Sequence, residues 1–249
     1  MKTVANVIWY DEHPDDLREM AESIAGFADA MVAVDGAFAT FPRTEEMMPW
    51  SSSDQIQAIS EGCATAGVEL LAYQPKREGE WADALGPNEH FVGNEPDKRT
   101  ASLKMSAVFR PDWVFNIDAD MRLTRWDDEA KQMMADTQLD VALVDVEGYG
   151  PSRILFRWSP QLEYWRTHYV VRNNTHFLAY PKVVEAGNKQ QTLVSVTDHT
   201  QIGWMPIADP LNLTEHVWFD HPPKKDSWRR VRQDVWYVTR DEMGLEKLN

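Results

Sequence analysis

The 249-residue sequence predicts one α/β domain with a mostly parallel sheet flanked by helices. Short apolar runs alternate with helical apolar stripes through the first half of the chain, as they do when helices connect parallel strands. A mostly apolar run, 113–117, ends on the carboxylates Asp118 and Asp120, and ligands collect at such strand ends. The hydrophobic fraction of 43% can fill a core of this size, so no second domain is required.

The first elements follow in a strand, helix, strand order. Residues 4–10 form an apolar run, Pro14 opens a helical stripe, and 30–34 is a second apolar run. Apolar residues three and four apart predict another helix over 56–66, and a third strand follows at 68–73. Each predicted helix therefore connects two strands, which is typical of a parallel sheet.

The second helix carries two further features. Ser52 and Gln55 have the spacing of a capping box, which predicts the start of the helix there. Cys63 belongs to the apolar stripe of the helix, so we expect a core residue and not a nucleophile. It is the single cysteine, which excludes an internal disulfide and a cysteine-rich zinc site.

The second half of the chain is more mixed. Pro96 opens a helix whose first turn holds Lys98 and Arg99, where the helix dipole disfavours cations. Either an anion lies nearby, or the two cations only offset Asp97 and the general acidity of the chain. The remaining predicted elements are a helix starting at 124–127, strands at 140–146 and 153–158, paired strands around a turn at Asn173 within 161–180, a short strand at 192–196, and a helix over 228–238.

The composition excludes some partners. The chain has 40 acidic and 25 basic residues and a formal charge of −15, which argues against general binding to nucleic acid or to an anionic membrane. An anionic ligand would need a metal ion or a local basic cluster. No apolar run approaches the roughly 20 residues that cross a bilayer, so we expect a soluble, cytoplasmic protein without a membrane span.

Asp118 and Asp120 are the first candidate site. On an extended chain, residues two apart project to the same side, so both carboxylates can face one hard cation. Such a cation, Mn²⁺ or Mg²⁺, can neutralise a diphosphate. A structural role, in which the aspartates cap the following turn, is the alternative.

Four segments together resemble the nucleotide-sugar half of a GT-A fold glycosyltransferase of the family-2 type. They are 7–12, 32–36, Lys98-Arg99 and 115–120, and the resemblance spans about residues 4–125 in order and spacing. It implies an open Rossmann-like sheet, a Mn²⁺ or Mg²⁺ ion, and transfer of a sugar from a UDP- or GDP-linked donor. The chain would then be one GT-A-like domain, with a nucleotide-sugar half at 1–125 and an acceptor half with a C-terminal helix at 126–249.

The resemblance also implies roles for individual residues. The nucleotide-sugar-binding residues would be Trp9, Tyr10, Asp11, Asp35, Lys98, Arg99 and Asp118. Among them Asp35 would contact the base, and Arg99 would approach the diphosphate. The metal ligands would be Asp118, Asp120 and, as the late histidine of such enzymes, His216.

The acceptor half carries a fainter likeness. Residues 153–157 and 162–168 are similar to an acceptor-side segment of some family-2 enzymes, which would put Trp165 and His168 on the acceptor side. In those enzymes a glutamate that serves as base ends the segment, but Tyr169 stands at that position here. The candidate catalytic carboxylates are therefore Glu163 and Asp198, and the stereochemical outcome is open.

Two other function classes stay open. A zinc hydrolase would use Asp198, His199, His216 and His221 with the acidic pair. A non-catalytic carbohydrate-binding protein would use some of the eleven tryptophans as stacking platforms, although most are expected in the core. The sugar and the acceptor, which could be a protein, a glycan, a lipid or a small molecule, are not predicted.

Overall fold

A computed structural model describes residues 1–36, 51–74, 95–165, 171–179 and 207–222. The α-helices of these residues are α1 (Pro14–Ser23), α2 (Ser53–Ala66), α3 (Glu95–Met105) and α4 (Asp128–Asp136). The strands are β1 (Thr3–Ile8), β2 (Ala30–Val34), β3 (Glu69–Tyr73), β4 (Trp113–Asn116), β5 (Arg122–Arg125), β6 (Val141–Val146), β7 (Gly150–Arg157), β8 (Glu163–Tyr164), β9 (Val171–Arg172), β10 (Phe177–Ala179), β11 (Leu211–Asn212) and β12 (Trp218–Asp220).

The main sheet confirms the predicted α/β fold with its mostly parallel sheet. Its strand order is β3-β2-β1-β4-β7-β6-β12-β5, and β11 also pairs with β6. The first four strands of this order run parallel, as do β6 with β11 and β12. Strand β7 is antiparallel to both of its neighbours, and β5 is antiparallel to β12. The parallel half followed by a mixed half matches the change in pattern after Asp120.

The sheet is covered on both faces, which is why its strands are almost continuously apolar. On one face, α1, α2 and α4 pack on Val7, Ala33 and Phe115. On the other face, Val32, Val114 and Phe156 pack against α3 and the small antiparallel sheet β10-β9-β8. Alternate residues of β4 therefore belong to different cores, as the period of a strand requires.

Helix α2 begins and ends where predicted, but without the predicted capping box. Gly67 adopts φ +70° after the last turn, and the Val68 N–H donates to the Cys63 carbonyl at 2.9 Å. Ser52 is the N-cap, but its side chain makes no capping hydrogen bond. Gln55 instead accepts from the Glu12 N–H, at 3.0 Å, so the predicted capping box is replaced by a contact to the segment after β1.

Cys63 is buried in the core, as predicted. Burial raises the pKa of its thiol to about 12. A thiol with this pKa supplies almost no thiolate at neutral pH, so Cys63 is not a nucleophile.

One element was missed between Asp120 and α4. Residues predicted to start a helix at 124–127 include the end of strand β5, and Asp127 is the N-cap of α4, accepting from the Ala130 N–H. The predicted strand at 192–196 and helix at 228–238 lie outside the described residues. Within the described ranges, no helix is both long enough and apolar enough to span a membrane.

Candidate functional site

The strands of the main sheet that run parallel to β1 all end at one edge of the sheet, which we call the carboxyl edge. Strands β1, β4, β6 and β12 all run in the same direction, so their last residues meet there, and antiparallel β7 begins there. The order of the sheet reverses between β1 and β4, because β2 and β3 lie on one side of β1 and the later strands lie beyond β4. In open α/β sheets, ligands bind outside the carboxyl ends of strands at such a point.

The segment 117–121 carries Asp118 and Asp120 across this edge. It connects β4 to β5, which are consecutive in the chain but are separated in the sheet by strands β7, β6 and β12. The chain makes a turn on the way, in which the Met121 N–H donates to the Asp118 carbonyl at 2.9 Å. The two aspartates therefore do not lie on an extended chain as expected, and each carboxylate contacts a different group.

Asp118 is bound by Arg99. The Arg99 Nη2 atom donates to Asp118 Oδ1 at 3.1 Å, and the carboxylate is 49% exposed. The guanidinium also lies over the ring of Tyr164, 5.8 Å from its centroid. The segment after β4 and the first turn of α3 thus bring an aspartate and an arginine together at the carboxyl edge.

Asp120 is nearly buried and contacts His221. The His221 Nε2 atom lies 3.4 Å from Asp120 Oδ2. The backbone N–H of His221 donates to Glu147 at 3.3 Å, and its ring packs edge-on against Tyr149, with centroids 5.4 Å apart. His221 directly follows β12, so it reaches the carboxyl edge together with the end of β6.

His216, the expected third metal ligand, lies elsewhere. It precedes β12 and is therefore at the opposite edge of the sheet, where its Nδ1 atom lies 3.0 Å from Asp127 Oδ2. The Ala130 N–H and, after it, the His216 imidazole lower the pKa of Asp127. The structure does not bring His216 to Asp118 and Asp120, and the histidine beside Asp120 is His221.

Metal-ligand geometry is only partly assembled. Among the described residues, no three histidine, cysteine, aspartate or glutamate side chains converge closely enough to hold a metal ion. Asp120 and His221 are the adjacent pair at the carboxyl edge. Carboxylate oxygen and imidazole nitrogen are donors that suit Mn²⁺, and Mg²⁺ commonly takes only one or two carboxylates and completes its shell with substrate phosphates.

A cleft of about 680 Å³ opens beside these residues, between the main sheet and the small sheet β10-β9-β8. Arg99, Asp118 and His221 line it, together with Tyr149 from the turn between β6 and β7. Its remaining lining comes from Asn116, Met121, Leu143, Val146, Pro151, Ser152, Arg153, Ile154, Phe156, Tyr164, Val171 and Ala179. A cleft of this size, lined by apolar side chains together with charged and polar groups, is typical of a small-molecule site.

Asp35, the expected base contact, is fully buried after β2. Its carboxylate accepts from the Ser51 N–H at 2.7 Å, from the Ser51 hydroxyl at 2.6 Å and from the Gln74 amide at 2.8 Å. Burial raises the pKa of Asp35, although Lys98 and these hydrogen bonds act in the opposite direction. Through these hydrogen bonds, Asp35 links the ends of β2 and β3 to the start of α2.

Lys98 is also buried, although the sequence assigned it to the nucleotide-sugar. Its ammonium donates to the carbonyls of Trp9, at 2.7 Å, and Gly36, at 2.5 Å. These carbonyls follow β1 and β2, so Lys98 joins the ends of these two strands to α3. The cation at the unfavourable end of α3 is thus compensated by backbone oxygens and by the charge of Asp35.

The segment after β1 is held by the same network. Asp11 adopts φ +54°, a left-handed conformation that few residue types tolerate, and its N–H donates to the Ser51 hydroxyl at 2.9 Å. Trp9 packs in the core under α1 and α2, and Tyr10 is buried. Of the three residues in this segment that were expected to bind the nucleotide-sugar, only Asp11 is not buried.

The acceptor-side residues are partly described. Glu163 accepts from Arg172 Nε at 2.7 Å and is not among the residues that line the cleft, whereas its neighbour Tyr164 is. Neighbouring strand residues face opposite ways, which explains this difference. Trp165 packs on Phe177, with ring centroids 5.5 Å apart. His168 and Asp198 lie outside the described residues.

Of the residues that line the cleft, only Arg99 and Asp118 are predicted as transferase site residues from the sequence. Tyr149, Tyr164 and His221 line it, and the sequence suggests His221 only for a hydrolase. The position of His221 directly after a strand that ends in Asp220 is a signal that could have identified it. Tyr149 lies between two glycines in the turn that joins two strands, but that pattern alone does not indicate a ligand.

Comparisons with known proteins add little. No family model and no curated protein matches the sequence. The similar solved structures include mannose-1-phosphate geranyltransferase from Thermus thermophilus, with 15% identity, a TM-score of 0.28, and coverage of 73% of this chain and 51% of that one. They also include the homolog, from Mycobacterium sp. strain JC1, of a Mycobacterium tuberculosis protein, with 9% identity, a TM-score of 0.29, and coverage of 95% and 97%. The chain spans about half the length of the first structure. At these TM-scores neither likeness bears on function, so function is inferred from the carboxyl edge and its cleft.

Proposed function

We propose that the protein is a metal-dependent glycosyltransferase that moves a sugar from a UDP- or GDP-linked donor to a hydroxyl acceptor. The observation that carries this proposal is the pair Asp118 and Asp120 at the carboxyl edge, beside the point where the strand order reverses. There Asp118 is joined to Arg99 and Asp120 to His221, and the cleft opens directly beside them. Carboxylates, a guanidinium and an imidazole at one opening are the groups that a metal-bound diphosphate requires.

The metal would be held by Asp120 and His221, with Asp118 as a further ligand or as the contact to the ribose. The chemistry of these donors fits Mn²⁺ or Mg²⁺, and His221 replaces His216 in the expected set. Since the described residues offer no group of three converged ligands, oxygens of the diphosphate would complete the shell. Metal and nucleotide should therefore bind together and only weakly apart.

When bound, the metal stabilises negative charge on the diphosphate. Arg99, oriented by Asp118 and the ring of Tyr164, adds a second positive group on the cleft side. In the transfer, the acceptor oxygen forms a bond to the anomeric carbon while the bond from that carbon to the diphosphate oxygen breaks. The nucleoside diphosphate leaves with the electron pair of that bond.

The acceptor proton must pass to a base. Glu163 is held by Arg172 and does not line the cleft, so Asp198 stays the candidate among the two carboxylates. A carboxylate base needs to come within hydrogen-bond distance of the acceptor hydroxyl.

The hydrolase alternative is not favoured by the described residues. His216 precedes β12 and His221 follows it, and the three strand residues between them span about 10 Å. Each histidine also has its own carboxylate partner. One zinc ion cannot take both as ligands in this arrangement.

The proposal is tested by calorimetric titration of UDP and of GDP, with Mn²⁺ and then with a chelator. We expect one nucleotide to bind only with Mn²⁺, and Asp120→Asn to weaken this binding at least tenfold, since it removes the charge of a ligand without changing its shape. His221→Ala should weaken it as well. His216→Ala is the matched comparison, because it removes the same side chain at the other end of β12, and binding should persist.

Three results would contradict the proposal: binding of neither nucleotide, binding that does not need a metal, or full binding by the Asp120→Asn protein. Loss of binding in His216→Ala together with retention in His221→Ala would return the ligand role to His216. Circular dichroism and thermal unfolding of each variant separate loss of binding from loss of folding.

A further inference from the structure

Four consecutive peptide groups, from 118–119 to 121–122, carry the two aspartates across the carboxyl edge, and each of them is held by a hydrogen bond. The Asp118 carbonyl accepts from the Met121 N–H at 2.9 Å, which fixes the first and the third group. The carbonyls of Ala119 and Met121, in the second and the fourth group, both accept from Arg122, at 3.0 Å and 2.9 Å. Since each peptide group is a rigid plane, these bonds fix the direction in which the Asp120 side chain leaves the backbone.

Arg122 divides its hydrogen bonds between this segment and α1. Its Nη1 atom donates to the two carbonyl oxygens, whereas its Nη2 atom donates to the carboxylates of Asp16 and Glu19, each at 3.2 Å. The side chains of Arg122 and Asp16 are only 10% and 9% exposed, so this pair is nearly buried. Two nitrogens of one flat guanidinium thus join the backbone around Asp120 to a helix.

Helix α1 presents three polar side chains to the segment. Asp16, Glu19 and Ser23 are three and four residues apart, so they lie on one face of the helix. The Ser23 hydroxyl accepts from the Leu123 N–H at 3.1 Å, directly after Arg122 in the chain. Because the apolar side of α1 packs in the core of the main sheet, the helix is a firm support for the segment.

The nearly buried pair of Arg122 and Asp16 suits a role in geometry better than a role in stability. Desolvation of two charges offsets most of their attraction, so such a pair adds little to the free energy of folding. A planar guanidinium, in contrast, has several donors in fixed directions and sets the relative position of the groups that it binds. A lysine would keep the charge but has no such planar set of donors.

We propose that Arg122 is a positioning residue for the metal site: it fixes the backbone around Asp120 and thereby holds the Asp120 carboxylate beside His221. Arg122 does not line the cleft, so it acts through the backbone of its neighbours. Its effect on metal binding rests on the glycosyltransferase function proposed above, whereas its effect on the segment does not. Loss of a group that orients a metal ligand typically weakens metal binding by about 10-fold to 100-fold.

The first measurement follows the segment itself, without metal or nucleotide. In Arg122→Lys the turn that is closed by the Met121 N–H should open more often, so this amide should exchange its hydrogen at least about tenfold faster, as measured by NMR. The Val68 N–H, which donates to the Cys63 carbonyl at the end of α2, should keep its rate. A general loss of stability would instead accelerate exchange at both amides.

Arg157→Lys is the matched control. Arg157 also donates to two backbone carbonyls, those of Thr137 and Leu139, and pairs with Asp140. It is the last residue of β7 and therefore lies at the edge of the sheet opposite the carboxyl edge. The substitution removes the same planar donors at a distance from the segment, so exchange of the Met121 amide should match that of the wild type.

The second measurement asks whether Arg122 acts through Asp120. In calorimetry with Mn²⁺ and whichever of UDP and GDP binds, Arg122→Lys should weaken binding about 10-fold to 100-fold. In the Asp120→Asn protein the same substitution should change the affinity by less than about threefold, because the carboxylate that Arg122 positions is already lost. A general loss of stability would weaken binding by the same factor with and without Asp120→Asn.

Two results would overturn the inference. One is Met121 exchange in Arg122→Lys that is unchanged, or that is accelerated no more than exchange at Val68. The other is equal weakening of binding by Arg122→Lys with and without Asp120→Asn. If Arg122→Lys does not fold, Asp16→Asn takes its place, since it weakens the link to α1 and leaves both bonds to the carbonyls. Its effects should have the same direction and be smaller.

Failure of the proposed function gives a different pattern. If Met121 exchange responds as expected while neither nucleotide binds with Mn²⁺, the transferase proposal fails and Arg122 still fixes the segment. If a nucleotide binds with Mn²⁺ while Arg122→Lys binds it like the wild type, the transferase proposal stands and the role of Arg122 at the metal site fails.

Discussion

At the scale of single residues, Asp35 shows how the carboxyl edge is held in place. The carboxylate is fully buried, and each of its oxygens accepts at least one hydrogen bond from Ser51. The Ser51 hydroxyl in turn accepts from the N–H of Asp11, which has an unfavourable φ. Asp35 is thus a positioning residue for the segment after β1, and it acts through Ser51.

The raised pKa of Asp35 gives a pH-dependent contribution to stability. A carboxyl group whose pKa is higher in the folded than in the unfolded state stabilises the fold below the unfolded pKa, and this contribution is lost as the pH rises through the folded pKa. The free energy of unfolding of the wild type, minus that of Asp35→Asn, should therefore fall as the pH rises above 3.8. Urea unfolding between about pH 4 and about pH 7 measures this difference.

The same substitution at Asp136, an exposed residue of α4, gives the baseline for this experiment. A flat difference curve for Asp35→Asn would show that the hydrogen bonds and Lys98 cancel the effect of burial on the pKa of Asp35, and a curve that rises with pH would show that they outweigh it.

The sequence singled out Arg99, Asp118 and Asp120, which lie together at the carboxyl edge, but not the residues that surround them. Asp35, Lys98 and Arg99 were singled out, yet the partners that bury Asp35 are 16 and 39 residues away in the chain and carry no motif. His216 was expected as the metal ligand because its order and context in the sequence resemble those of the late histidine in GT-A enzymes. Only the histidine that follows β12 reaches the carboxyl edge. To choose between His216 and His221, one must therefore know where β12 begins and ends.

At the scale of elements, α1 and α2 are in close contact at Gly62. A Cβ atom at this position would lie 2.5 Å from the Arg18 carbonyl oxygen and 2.8 Å from the Ala21 Cβ atom. Both belong to α1, and a backbone oxygen cannot rotate away. Because α1 follows the segment with Asp11, and α2 supplies Gln55 to Glu12, this helix pair also supports the site.

Gly62→Ala should destabilise the protein. Alanine is favoured over glycine in a helix by about 1 kcal/mol, but overpacking a well-packed contact costs about 1–3 kcal/mol, and a backbone clash lies at the upper end. The net loss is then about 1–2 kcal/mol, which lowers Tm by roughly 2–8 °C for a chain of this length. Differential scanning calorimetry measures the shift.

Ser60→Ala, at an exposed position of the same helix, is the control, and its Tm should equal or slightly exceed that of the wild type. A Gly62→Ala protein as stable as the wild type would mean that α1 and α2 can separate without loss of packing.

Periodicity predicted the elements from β1 to β4 because each of them buries a whole face or stripe. It missed β5, whose residues Arg122–Arg125 carry two arginines in four positions and pair with β12, about 90 residues later in the chain. It identified β7 as a strand but gave no direction, since a strand pattern does not specify its partner. The antiparallel β7 is what brings Tyr149 to the carboxyl edge.

At the scale of the whole molecule, the formal charge of −15 opposes the approach of an anionic nucleotide. The two cations that the sequence assigned to the nucleotide are already engaged, Lys98 with backbone carbonyls near Asp35 and Arg99 with Asp118. Asp118 and Asp120 add negative charge at the opening itself. Long-range attraction therefore favours the metal cation, and the nucleotide approaches against a field of its own sign.

This field predicts an unusual salt dependence. The Debye length shortens from about 30 Å at 0.01 M to about 8 Å at 0.15 M ionic strength, so added salt screens the repulsion between the protein and a nucleotide. Association of UDP or GDP in the presence of Mn²⁺ should become severalfold faster over this range, whereas a protein that attracts its ligand slows. Stopped-flow tryptophan fluorescence gives the association rate constant at each ionic strength. If the nucleotide rate falls as salt is added, a local positive potential governs its approach. The net charge would then say nothing about the donor site.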